Sequence, residues 1–154
     1  MESPRDSLGF LMADVSRLMR RAFARQMDDG TSTLTFAQAR ALVHLARAEG
    51  LRQVELASLL EVQPITLARL IDQLDARGLV ERRADPHDRR ARRLFLTPAA
   101  APHLAAILAV GASVRAAALR DIGAAQAAAL SATLGRMRDN LAGGAAASTG
   151  AAAQ

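Results

Sequence analysis

The chain has 154 residues and a formal net charge of +5, which bounds it to one domain with room for dimerisation arms and favours an anionic partner. All 20 basic residues are arginine, so Schiff-base, pyridoxal-phosphate and Walker-lysine chemistry are excluded. With no cysteine there is no disulfide framework, thiolate metal site or thiol switch. The 36 alanines and 3% aromatic content predict a thin, helical Leu/Ala core. The opening MESPRDSLGF lacks a signal core and no 18-residue apolar run is expected, so the reading is a cytoplasmic protein without a membrane partner.

Residues 1–6 read as a lead-in. From residue 7 to 28, Leu8, Leu11, Met12, Val15, Leu18, Met19, Ala22, Phe23 and Met27 fall at helical spacing, with Arg17, Arg20, Arg21 and Arg25 on the other face. Residues 28–32 are a loop. Thr35 then opens a helix, with Gln38 completing a capping box, and Gly50 ends the segment.

Residues 53–60 form a short helix with Val54, Ala57 and Leu60 in phase, and Arg52 stands where Ser or Thr would cap it better. In that place Arg52 offers a phosphate contact. Residues 62–64 make a tight turn, and Pro64 suits the first position of a second helix, about 64–77, whose Leu67, Leu70, Ile71 and Leu74 share one face. Gly78 supplies a left-handed cap. Two helices joined this way make a helix-turn-helix, the second lying in a DNA major groove.

A hairpin follows over about 79–96. Leu79-Val80 and Leu94-Phe95-Leu96 are its apolar ends, and six arginines (Arg82, Arg83, Arg89, Arg90, Arg92, Arg93) crowd the stretch between. Asp85-Pro86 marks its turn. A basic hairpin behind a recognition helix reads as a wing suited to a narrow minor groove; the bland alternative is a solvated charge run. Thr97-Pro98 is an N-cap with proline at the first helical position, opening a helix to about residue 120. Gly111 within it is a mild break or a close-packing point. A last helix, 124–141, places Leu130, Leu134, Met137 and Leu141 three and four apart. Residues 143–154, GGAAASTGAAAQ, are too poor in apolar bulk to pack and are expected to be disordered.

The fold class is therefore mainly α with a small β-hairpin wing: a winged helix-turn-helix at 35–97 between dimerisation helices at 7–28 and 98–142. Arg69 faces away from Leu67 and Leu70-Ile71 and is the candidate base reader, bidentate to guanine O6 and N7. Its alternative is a salt bridge to Asp72 or Glu61. Gln63 and Thr66, near the helix N-terminus, are candidates for phosphate or base-edge contacts. Arg89, Arg92 and Arg93 are candidates for phosphates.

The text Ile71-Asp72-Gln73-Leu74-Asp75-Ala76-Arg77-Gly78-Leu79-Val80, then Asp85, Asp88 and Arg90 as D-x-x-D-x-R, then Leu94-Phe95-Leu96-Thr97-Pro98, resembles the MarR family of bacterial winged-helix regulators, nearest its SlyA-like branch. The strong match covers some 45 residues, and the flanking helices fit the family's layout. The resemblance implies a homodimer intertwined through its N- and C-terminal helices, bound to a pseudo-palindromic operator on double-stranded DNA, with repression as the default. It implies that Arg90 is the wing-tip arginine entering the minor groove and that Asp88 holds it by a charge-assisted hydrogen bond. The alternative for that pair is an intra-hairpin surface contact. It further implies a pocket for small aromatic acids, for which Arg17, Arg21 and His44 are the candidate carboxylate partners. His44 is otherwise a core histidine, and the ring-stacking walls of some relatives are missing. His87 is a candidate for a pH-dependent phosphate contact, and His103 has no obvious partner.

Three scattered histidines, with no Cys, no Lys and no HExxH-like pair, assemble no nucleophile, base and metal ligand together. No enzyme activity, metal or cofactor is expected. The competing reading is a winged-helix interaction module, an antagonist or anti-silencing factor without ligand control.

Overall fold

The computed structural model describes residues 7–28 and 33–150. The expected lead-in, residues 29–32 of the loop and the last four residues of the tail lie outside them. The element order is α1 (Leu8–Asp28), α2 (Phe36–Arg47), β1 (Leu51–Arg52), α3 (Gln53–Leu60), α4 (Pro64–Ala76), β2 (Val80–Asp85), β3 (Asp88–Leu96), α5 (Ala100–Ala118) and α6 (Ala124–Gly150). The chain divides into two compact units, Met1–Arg115 and Ala116–Gln154.

In the first unit, one cluster of buried side chains joins Leu42 and Leu45 of α2, Leu56 and Leu60 of α3, Leu67, Ile71 and Leu74 of α4, and Val80 and Leu94 of the sheet. The helix ends explain its placement. Thr35 accepts from the Gln38 amide at 3.2 Å and the Gln38 side chain accepts from the Thr35 amide at 3.0 Å, the reciprocal box expected. Gln38 also donates to Gln73 Oε1 at 3.0 Å, tying α2 to α4. At the far end of α4, Gly78 has φ +67°, its amide donates to the Asp75 carbonyl at 2.8 Å, and the Leu79 amide donates to Leu74 at 3.0 Å. That paired closure needs a left-handed residue at Gly78 and turns the chain straight into β2.

The wing is not a simple hairpin. β1, only two residues long and not foreseen in the sequence, pairs antiparallel with β3 and makes the order β1-β3-β2. Gly50, at φ +79°, lies just before it with the Phe95 ring 3.4 Å from where a Cβ would stand. Along β2 and β3 the register runs from Val80↔Leu96 to Ala84↔Arg92, then jumps to Asp85↔Asp88. Residues 89–91 of β3 therefore face no partner on β2.

Three expectations change. Thr97 does not cap α5: its hydroxyl donates to the Gly78 carbonyl, pinning the wing's end to the α4 closure, and α5 starts at Ala100. By length and composition α5 is apolar enough to cross a bilayer, contrary to the expected absence of such a run. Its alanines count as apolar although they are small, while Ile107 and Val114 are buried in the protein. Of the two readings of Gly111, close packing holds: the helix runs through it, and a Cβ there would stand 3.9 Å from the Phe23 ring. The second unit carries α6, which runs on to Gly150, eight residues into the segment expected to be disordered. Alanine's high helix propensity extends it there without bulky packing groups.

α1 buries only Met27, while Phe23 meets the Phe36 ring at 5.6 Å. The N-terminal part of its apolar stripe, from Leu8 to Leu18, is 41–60% exposed.

Candidate nucleic-acid interface

α4 divides cleanly by face. At 100° per residue, Leu67, Ile71 and Leu74 point into the core, and the opposite stripe is Ile65, Arg69, Asp72 and Ala76. Gln63, Thr66 and Arg69 are all exposed. Neither suggested salt bridge of Arg69 forms: Asp72 is occupied by Arg82, and Arg69 has no side-chain partner among the described residues.

The six wing arginines fall into two sets. Arg82 bridges Asp72 and, at 2.7 Å, Asp75, tying β2 to the outer side of α4. Arg83 pairs with Glu81 and stacks its guanidinium 4.2 Å from the Phe95 ring centroid. Arg93 donates to Asp85 at 3.0 Å and to the Gly50 carbonyl at 3.3 Å, so, unlike the other two candidates for phosphates, it is tied into the frame of the wing. Arg89, Arg90 and Arg92 are exposed, and their guanidinium groups have no hydrogen bond or ion pair among the described residues. Two of these three lie in the stretch of β3 that opposes nothing on β2. The wing thus offers three free cations at its outer end.

Asp85 is the group that the sequence did not reveal. Read as a turn residue, it is buried, with 3% of its surface exposed. It accepts from the His87 amide at 2.8 Å, from Arg52 Nε at 3.0 Å and from Arg93 Nε at 3.0 Å. The His87 amide first, then the two arginines, hold its carboxyl down from the ordinary 3.8 to about 2, against the opposing effect of burial. Arg52 is thus paired with Asp85, a partner the sequence reading did not give it. The α3 start is served instead by Glu55, which accepts from the Arg52 amide at 2.6 Å. Nothing local in the sequence signals this hub, because Arg52 lies 33 residues away.

Asp88 also differs from expectation. Its carboxylate accepts from the Arg90 backbone amide at 3.0 Å, not from the guanidinium. It shapes the chain at the tip and leaves the Arg90 side chain free.

Between α1, α2 and α5 of the first unit lies a mainly apolar cavity of about 360 Å³, lined by Phe23, Phe36, Ile107, Val114 and others, with Arg20, Arg40, Arg115 and His44 as its polar groups. Of the candidate ligand residues, His44 lines it; Arg17 pairs with Asp14 at 2.9 Å and Arg21 is not part of the lining. Burial, then Arg40 and Arg47, push the His44 pKa below its usual 6.5. Arg40, four residues before His44 on α2, was findable from helical spacing alone.

A sequence model of the MarR family matches residues 32–91. Among solved structures, the transcriptional regulator PA3341 is 38% identical, covering 89% of this chain and 99% of its own, with a TM-score of 0.73. A probable transcriptional regulator from Pseudomonas aeruginosa is 30% identical over 88% of this chain and 99% of its own, with a TM-score of 0.67. MarR from E.coli in its apo form is 26% identical over 85% of this chain and 96% of its own, with a TM-score of 0.74.

Proposed function

The chain belongs to the MarR family of winged-helix, DNA-binding transcription regulators, and from that premise we propose that it acts in the cytoplasm as a homodimeric repressor on a pseudo-palindromic operator. The observation that carries the reading is the division of the wing arginines: Arg89, Arg90 and Arg92 have no partner within the described chain while their three neighbours do. Unpaired cations on a rigid projection suit phosphates and an electronegative minor groove. Arg69 on the outward side of α4 reads a major-groove guanine, with Gln63 and Thr66 against the backbone or neighbouring base edges. The half-exposed stripe of α1 and the exposed Leu130, Leu134 and Leu141 of α6 supply apolar surface for a second copy. Two copies place their recognition helices about one helical turn apart.

Release from DNA is assigned to a small aromatic carboxylate in the cavity between α1, α2 and α5. Its apolar walls accept a ring, and Arg20, Arg40 and Arg115 supply cations for the carboxylate. Binding there favours a spacing of the two copies that no longer matches the half-sites.

The test is a fluorescence-anisotropy titration against the upstream intergenic DNA at several salt concentrations, with Arg90→Ala alongside. Tight binding to one site, steeply weakened by salt and reduced about tenfold or more in the variant, supports the regulator. Binding that is weak, insensitive to salt and unchanged by Arg90→Ala overturns it in favour of an interaction module.

A further inference from the structure

Ile65 stands outside the core. It lies in the first turn of α4, is 65% exposed, and takes no part in the hydrophobic cluster that Leu67, Ile71 and Leu74 of the same helix join. A β-branched side chain is a poorer helix former than alanine, so at an exposed site it costs helix stability without the compensation of burial. A single exposed aliphatic residue is ordinary on a protein surface. What separates this one is its position. Ile65, Arg69, Asp72 and Ala76 make up the outward stripe of the recognition helix, and of these Ile65 is nearest the N-terminal end, the end that reaches base edges in a helix-turn-helix. Asp72 is already held by Arg82, which leaves Ile65 and Arg69 as the two long side chains of the stripe free to meet a groove.

Resting on the DNA-binding reading above, we infer that Ile65 is a specificity-determining residue that reads the C5-methyl group of a thymine in each half-site. The methyl is the apolar feature that the major groove displays, and it marks T against C, A and G without a hydrogen bond. Four residues of helix advance about 6 Å along the axis, and base steps follow one another at about 3.4 Å. The thymine therefore lies within about two base pairs of the guanine that Arg69 reads. Arg69 and Ile65 together form a two-residue reader, one polar and one apolar, on neighbouring steps.

The experiment replaces single thymines by deoxyuridine, which pairs identically and lacks only the methyl group. The full chain first selects its site from random duplex DNA; each thymine of that site is then changed in turn, and affinities are measured for wild type, Ile65→Ala and Ile65→Val. The expected result is one sensitive thymine per half-site, costing wild type about fourfold, the effect of one buried methyl group. Ile65→Ala loses a similar factor on the unmodified site and becomes indifferent to deoxyuridine there, while Ile65→Val keeps part of the sensitivity. Tight, salt-dependent binding with no sensitive thymine, or with the same profile in Ile65→Ala as in wild type, overturns the assignment and leaves the regulator standing. Failure to select or bind any duplex overturns both, and shows in wild type before any variant is made. Because the change is made in the DNA, misfolding of a variant cannot imitate the expected pattern.

Discussion

Arg82, Arg83 and Arg93 at the lower part of the wing can be set against Arg89, Arg90 and Arg92 at its outer end. The residue type is the same and the two sets interleave within twelve positions, yet every member of the first has an acid or an aromatic face and no member of the second does. The difference comes from what the fold brings within reach. At the lower wing, α4 supplies Asp72 and Asp75, β1 supplies the chain around Gly50 and Arg52, and Asp85 turns inward between them. Toward the outer end the β-ladder is interrupted at residues 89–91, and no acidic side chain pairs with a guanidinium there among the described residues. Counting charge along the sequence gives one patch; the structure divides it into a paired set and a set without partners among the described residues.

Removing the hub should blur the division most. Asp85→Ala leaves Arg52 and Arg93 without their shared acceptor, and a thermal melt is expected to show a fall on the order of 10 °C, with operator affinity falling alongside. An unchanged melting temperature would mean that the lower wing is held by β-pairing alone. The same carboxylate sets an acid limit. Its folded pKa lies below the unfolded 3.8, so its stabilisation is full above that value and is lost as pH falls toward about 2. Urea titrations between pH 5 and pH 2.5 should show wild type losing stability that Asp85→Asn has already forfeited.

The outer set should behave in the opposite way. Arg89→Ala and Arg92→Ala are each expected to leave the melt untouched and to lower the slope of log affinity against log salt by about one unit, read by anisotropy. A melt shift comparable to that of Asp85→Ala would erase the distinction. Arg82→Ala lies between: its pairs with Asp72 and Asp75 are partly exposed, and a loss of less than about 1 kcal/mol in urea unfolding is expected. The smallest effect is at His44. Its lowered pKa means that stability declines as pH drops below 6.5, read as a small fall in melting temperature between pH 7 and pH 5.5, and His44→Gln should flatten that change.

Most of the helical frame was legible because its signals are local. Thr35 with Gln38, Pro64 at the start of α4 and Gly78 at its end each act within a few residues, and each does as its chemistry dictates. The outward position of Arg69 followed from helical period alone. What stayed hidden depends on distant partners. Arg93 and Arg92 are adjacent and indistinguishable in sequence, and only the approach of Gly50 and Asp85 makes the first structural. Thr97 looked like a cap because threonine before proline often is one, but the Gly78 carbonyl, 19 positions back, takes its hydroxyl. Ile65 carries no signal in sequence, because an aliphatic residue at helical spacing looks the same whether it points to the core or away from it.

The break in the β2–β3 register has a consequence for how such a protein diversifies. At the break, Asp85, Arg52 and Arg93 form a closed joint; beyond it, the side chains of residues 86–90 make no hydrogen bond or ion pair to the helices among the described residues. The tip is thus an exchangeable cassette on a fixed socket. Its side chains can be rewritten, by evolution or by grafting, so long as the backbone amide at position 87 still reaches Asp85.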